Sequence, residues 1–409
     1  MENPTGAEIP GGGAAGVPLP GHEELVGRAA ALREPLWADA AECDRSRRLT
    51  DAVVEKITGA GLTRLLTPAR FGGHETGTRT LLAVTSELGR GCCSASWVTG
   101  LLNAGGFVVS LFPHRAQEEV WGTNRDARIA LVLGLPSRSV EETGEGVVLS
   151  GRWAYASGSL HSDWIGVLVA VPTEAGRPSV HIALLRRDEV DVEDTWFFVG
   201  MRGTGSNTVV ADRVAVPRHR LLPYAPVLNG ETDGLVDEGH LYRNSLTGVF
   251  SLAVIGSLVG GAEAAFAYVR ERAHDRPVAG STYASQAESP TLQLDLSEAA
   301  MKIDTARMHA RRVADTIDEF ARAKVNADLE TRARVRMDAT YVARQCREAV
   351  DILVTAYGTS AFDESSPLQR IWRDVNVGGR HAGFGMGIPQ QVHGRALVGR
   401  DPREISFLV

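Results

Sequence analysis

Cysteine, net positive charge, long apolar runs and the common catalytic motifs are all scarce in this chain, and each shortage closes off a class of function. Among 409 residues there are four cysteines, Cys43, Cys92, Cys93 and Cys346. They have neither zinc-ligand spacing nor a disulfide framework, so a reducing compartment, the cytoplasm, is expected. Cys92 and Cys93 read as small packed residues. Lys and Arg total 43 against 50 Asp and Glu, a net charge of −7. A nucleic-acid surface needs a basic stripe, so no nucleic-acid partner is expected. No uninterrupted apolar run reaches the roughly 18 residues of a membrane span, and the N-terminus lacks a signal peptide's basic start and apolar core, so no membrane association is expected.

The motif search is equally restrictive. There is no G-x-G-x-x-G behind an early strand, no Walker loop, no H-E-x-x-H and no G-x-S-x-G, which removes nicotinamide Rossmann, nucleotide-hydrolase, zinc-protease and esterase readings. Ser157, His161 and Asp163 are too close in sequence to converge as a catalytic triad. Gly383, Gly385 and Gly387 follow no strand and read as a flexible link between helices.

What is present is an ordinary globular composition, 44% apolar and 23% charged, in a chain long enough for several subdomains. Residues 1–20 are rich in Gly and Pro and predict a disordered tail. Residues 21–127 carry helical periodicity, with helices over 23–43, 51–60, 78–88, 94–111 and 114–121, and Thr50 as an N-cap. Residues 128–225 switch to short β-branched runs at 129–133, 146–153, 164–171, 180–185 and 208–214, predicting a small antiparallel barrel or sandwich. Residues 226–409 return to helix, with long elements over 245–274, 291–322 and 329–356 that predict a bundle.

Three motifs then stand in order. They are Trp153, Ser157 and Gly158; Asp194, Thr195, Trp196, Gly200, Arg202, Gly203, Thr204, Gly205 and Ser206; and Trp372, Arg373 and Asp374 followed by His381. Jointly they resemble the flavin-dependent monooxygenase branch of the acyl-CoA dehydrogenase fold. These are two-component hydroxylases similar to the 4-hydroxyphenylacetate and steroid-ring phenol hydroxylases. The resemblance spans roughly residues 22–400. It implies an α+β multidomain fold: an N-terminal helical domain, a central β domain and a C-terminal four-helix bundle.

One absence separates the branches of this fold. A dehydrogenase needs a carboxylate base, usually eight residues past the aspartate of the Arg-Asp pair. That position is Ala382, and the alternative location on the first bundle helix, residues 241–262, contains no Asp or Glu. The resemblance therefore implies oxygen insertion from a flavin C4a-hydroperoxide. Reduced FMN or FAD would come from a separate flavin reductase, with O2 as co-substrate.

By resemblance, the catalytic residues would be Ser157, near flavin N5, and His381, stabilising the oxygenating species or taking a substrate proton. Tyr155, Ser157, Gly158, Trp196, Arg272 and Gly358 would bind the cofactor. The dehydrogenase grip on adenine is reduced here. Asp275 and Arg276 replace a Phe-Gly pair after Glu271 and Arg272, and the Gly-Gly-x-Gly turn reads Gly358-Thr359-Ser360-Ala361. Weak, exchangeable flavin binding follows.

Trp97, Asn103, Gly105, Phe107 and Phe384 are candidate pocket residues. Gly105 stands where phenol hydroxylases carry a polar ring, and a glycine there leaves space. Two substrate classes stay open: a phenol-type aromatic, including polycyclic polyketide phenols of antibiotic biosynthesis, or a nucleotide-linked amino sugar undergoing N-oxygenation. The fold implies a homotetramer, a dimer of dimers. Core packing is the competing reading for the aromatics, and a bundle ion pair for Arg272.

Overall fold

A computed structural model describes residues 19–134, 139–173, 176–232, 239–385 and 387–409. Most of the expected tail, residues 1–18, lies outside them. The chain begins with helices α1 (His22–Ala31), α2 (Arg33–Ser46), α3 (Asp51–Gly59), α4 (Thr78–Gly91), α5 (Cys93–Val109) and α6 (His114–Trp121). The single helix expected over 23–43 is two helices meeting at Leu32. Pro35 has no N–H to give to Ala31, so the chain restarts with the proline in the new first turn, where the missing donor costs nothing. Thr50 caps α3 by accepting the Val53 N–H at 3.2 Å.

Among the described residues eight strands follow: β1 (Ile129–Val132), β2 (Ser139–Glu142), β3 (Gly146–Ala156), β4 (Trp164–Val171), β5 (Ser179–Arg186), β6 (Asp191–Glu193), β7 (Asn207–Pro217) and β8 (Leu221–Pro223). They form two four-stranded sheets, ordered β1-β4-β5-β8 and β2-β3-β7-β6. All pairs are antiparallel except β1 with β4, which run parallel, so the sandwich is not wholly antiparallel. Trp153 fills the space between the sheets and donates its indole N–H to the Leu168 carbonyl at 2.9 Å.

After a short helix α7 (Tyr224–Asn229), the bundle comprises α8 (Leu246–Arg272), α9 (Pro290–Ala323), α10 (Leu329–Tyr357), α11 (Pro367–Gly378) and α12 (Ile388–Leu397). Ser245 and Asp328 cap α8 and α10 by accepting Gly248 and Thr331 amides. Gly383, Gly385 and Gly387 fall between α11 and α12. The helix around α8 is long and apolar enough to cross a membrane. Thr247, Ser251 and Ser257 interrupt its apolar run in the sequence. Its apolar stretch is mostly buried within the fold, because α8 packs against α4, α5, α9 and α10 as the central stave.

Candidate active site

The β3–β7 register slips between Trp153 and Ala156. Inside the slip, Tyr155 takes a left-handed φ of 66°, a bulge that turns its ring outward, 66% exposed. Gly158 follows at φ 77°, with Val98 of α5 lying 3.1 Å from where a Cβ would stand. Only glycine suits both demands. The strand thus ends with Ser157 buried and hydrogen-bonded to Ser206 of the loop between β6 and β7.

That loop holds the second motif and is clamped from both sides. Arg47, at the end of α2, makes a two-pronged ion pair with Asp194, both contacts 2.6 Å. Arg373 of α11 grips Asp44 at 2.9 and 3.1 Å and also donates to the Val199 carbonyl. Arg202 donates to the Asp44 carbonyl at 2.8 Å. Asn207 accepts the amides of Thr195 and Trp196. Asp374 accepts the Met201 N–H at 2.5 Å, and burial pushes its carboxyl up to about 7. The second and third motifs are therefore one object, a loop and the helix that seats it.

From Met201 a chain of hydroxyls leads to the barrel. The Met201 carbonyl accepts from Thr204 Oγ1 at 2.7 Å and from the Trp196 indole at 2.9 Å. Thr204 meets Ser206 at 2.7 Å, and Ser206 meets Ser157 at 2.6 Å. Trp196 stacks on Phe198 with centroids 3.9 Å apart, and Tyr155 stands edge-on to both. Tyr155, Phe197, Phe198 and Val199 form an exposed apolar patch.

His381 lies in an aromatic cage. Trp97 is 5.7 Å from its ring, Phe384 5.9 Å and Phe250 6.1 Å, centroid to centroid. The cage strips water from the imidazole and lowers its pKa to about 4. Its Nδ1 accepts the Gly383 N–H at 3.2 Å. The Ser157 and His381 regions abut the same turn of α5, through Val98 and Trp97 respectively. Phe250 escaped notice because an aromatic on an apolar helix has no sequence signal beyond core packing.

Three of the expected pocket residues are engaged within the fold itself. Asn103 spends its side chain on backbone: Oδ1 accepts from Leu65 at 2.7 Å, and Nδ2 donates to Leu62 and Thr99. Gly105 opens no space, since a Cβ there would run into the Ile129 carbonyl as α5 crosses β1. Phe107 is fully buried in the core beside Tyr242.

Arg272 and Gly358 are not brought to this region. Arg272 lies roughly 33 Å along α8 from Phe250, with its guanidinium 3.8 Å over the Tyr268 ring rather than in an ion pair. Tyr268 touches Tyr357, and Arg276 stacks on Tyr357 and donates to its carbonyl and to Ser360. Arg276 thus closes down onto the segment that carries Gly358.

Ser157, His161 and Asp163 form no triad, as their closeness in sequence implies. Ser157 bonds Ser206, and Asp163 accepts from Arg128. All four cysteines are free and buried, and no group of three or more metal-ligating side chains occurs among the described residues.

A reduced flavin fits these residues. The apolar patch of Tyr155, Phe198 and Val199 is surface for a planar ring system to cover, and the Ser157 hydroxyl beside it suits the polar edge of such a ring.

The acyl-CoA dehydrogenase N-terminal domain family matches residues 22–123, and the acyl-CoA dehydrogenase C-terminal domain family matches residues 252–385. The FADH(2)-dependent resorcinol hydroxylase oxygenase component of a Rhizobium species is 33% identical over 93% of this chain and 96% of its own length. The flavin-dependent monooxygenase oxygenase subunit HsaA of Mycobacterium tuberculosis is 32% identical over 82% and 85%. Among solved structures, XiaF from a Streptomyces species, in complex with FADH2 and glycerol, superposes with a TM-score of 0.89 at 34% identity, covering 93% and 96%. With its motif set, its clamped loop and no acid at Ala382, the chain belongs to the flavin-dependent monooxygenase oxygenase components of the acyl-CoA dehydrogenase fold.

Proposed function

We propose that this oxygenase component receives reduced FMN or FAD from a separate flavin reductase and hydroxylates a phenol-type aromatic small molecule. Bound reduced flavin supplies two electrons and activates dioxygen, so that one oxygen atom enters the substrate and the other leaves as water. The observation that carries the substrate class is the cage: three aromatic rings, Trp97 and Phe384 in edge contact and Phe250 tilted, around one neutral imidazole. Such a site binds a flat aromatic and offers it one polar contact.

Ser157 would meet the N5 edge of the flavin, with Tyr155, Gly158 and Trp196 shaping that wall. His381 is neutral, and its Nδ1 lone pair is taken by Gly383, which leaves the proton on Nε2. It therefore acts as a hydrogen-bond donor to oxygen rather than as a base. The apolar walls would exclude water and stray protons, so that reducing equivalents are not lost as hydrogen peroxide. The acyl-CoA dehydrogenase alternative lacks its base. Ala382 is an exposed methyl, and Glu263, beyond the acid-free part of α8, pairs with Arg90 and Arg307.

A homotetramer in the cytoplasm suits the remaining surface. Leu294, Met301 and Met308 recur every seven residues on α9 and are 62–71% exposed, an apolar seam for another copy. Arg272 and Gly358 would then serve a neighbour's flavin. The deciding experiment supplies a reductase, NADH, flavin and 18O2 to a panel of monocyclic and polycyclic phenols and one nucleotide-linked amino sugar. Label entering an aromatic ring supports the proposal. Label appearing only on the sugar nitrogen replaces it with N-oxygenation, and no label anywhere defeats it.

A further inference from the structure

The three hydroxyls between the barrel and Met201 have only one workable arrangement of protons. There are three contacts, Thr204 to the Met201 carbonyl, Ser206 to Thr204 and Ser157 to Ser206, at 2.7, 2.7 and 2.6 Å. There are also three hydroxyl protons. A carbonyl oxygen has no proton to give, so Thr204 must donate to Met201. Thr204 then has only lone pairs for Ser206, so Ser206 donates to it. Ser206 in turn has only lone pairs for Ser157, so Ser157 donates to Ser206. Any other arrangement leaves two oxygens facing each other at hydrogen-bond distance with no proton between them. The carbonyl that sets this direction is itself fixed, since the Trp196 indole bonds the same oxygen and Asp374 holds the Met201 amide.

The consequence falls on Ser157. Its single proton is committed inward, so it presents only lone pairs to whatever sits outside. We infer that Thr204 and Ser206 are specificity-determining positioning residues, which make Ser157 a hydrogen-bond acceptor and so select reduced over oxidised flavin. This rests on the reading that Ser157 meets flavin N5. Reduced flavin carries N–H at that position, and oxidised flavin carries a bare lone pair. The reduced form completes the chain of donors. The oxidised form sets lone pair against lone pair unless the whole chain reverses, which the Met201 carbonyl forbids. An exchanged cofactor needs such discrimination, because oxidised flavin in the same pool would otherwise compete for the site.

The test is the ratio of dissociation constants for oxidised and reduced flavin, measured by anaerobic ultrafiltration with FMN and with FAD. Wild-type protein is expected to bind the reduced form more tightly by roughly tenfold or more. In Ser206→Ala the Ser157 proton loses its partner and becomes available to an acceptor. In Thr204→Val the Ser206 proton turns toward Ser157 with the same effect. Both variants are expected to bring the ratio to within about threefold of unity. Thr204→Ser keeps the hydroxyl and is expected to keep the wild-type ratio. Ser206→Ala removes one oxygen atom and decides the matter even if Thr204→Val fails to fold. Folded Ser206→Ala with the wild-type ratio overturns the inference, as does wild-type protein binding both forms equally. Wild-type protein binding neither form overturns the flavin assignment of Ser157 itself, a distinguishable failure.

Discussion

The backbone N–H of Gly383 donates to Nδ1 of His381 at 3.2 Å. A neutral imidazole with that lone pair engaged carries its proton on Nε2, and the surrounding rings keep it neutral down to about pH 4.

His381 is expected to work by donation. His381→Ala should lower kcat by about 10²–10³, the usual loss for one preorganised donor. His381→Gln keeps an N–H donor without useful basicity and should recover at least about tenfold of that loss. Steady-state product formation measures both. Equal inactivity of the two variants would point to a base instead. No ionisation near pH 6.5 that disappears in His381→Gln should be visible in kcat.

The same residue gives a stability signature. Its folded pKa of about 4 lies below the ordinary 6.5, so the unfolded chain binds the extra proton. This contribution to stability is full above pH 6.5 and is lost as pH falls toward 4. Urea midpoints for His381→Gln should therefore gain on wild type as the buffer is taken from pH 7 to pH 4.5.

Asp374 should behave in the opposite sense. Burial raises its folded pKa from 3.8 to about 7, so the folded state holds the proton and wild-type stability falls as pH rises from 4 to 7. Asp374→Asn keeps an acceptor for the Met201 amide but cannot ionise. Its melting temperature relative to wild type is expected to climb across that window and level off above pH 7. A constant difference would show that the carboxyl does not titrate in place.

Gly105→Ala is expected to destabilise by about 1–3 kcal/mol, because the new methyl collides with the Ile129 carbonyl and α5 must lift from β1. Thermal unfolding measures the loss. Relative activity across the phenol panel should not change, since the position faces strand rather than substrate.

Asn103→Leu removes the side-chain contacts to Leu62, Leu65, Leu66 and Thr99. Each polar group left buried without a partner costs about 1–3 kcal/mol, so a loss of at least about 2 kcal/mol is expected in urea denaturation. Preserved stability with altered substrate preference would return Asn103 to the pocket.

Much of the architecture was legible in local pattern. The bundle helices begin within a residue of where their caps stand, at Ser245 and Asp328. The broken α1–α2 helix was legible too, had Pro35 been weighed as a missing donor. The parallel β1–β4 pair was not legible, because the β2–β3 hairpin between them joins the other sheet. Gly105 was misread for a related reason. A glycine signals room in sequence, whereas here it marks two backbones in near contact. Phe250 gave no signal, since nothing local distinguishes a cage wall from core.

The sequence by itself determined the helix, sheet, helix order, the three motifs and the absence of an acid at Ala382, because periodicity and residue chemistry are properties of neighbours along the chain. Only the tertiary structure decided that Asp374 seats Met201, that His381 sits among Trp97, Phe250 and Phe384, and that the proton of Ser157 points inward. Those facts depend on which atoms from distant segments meet. The direction of a hydrogen-bond chain is set by the group at its end, here a carbonyl 44 positions from the serine it controls.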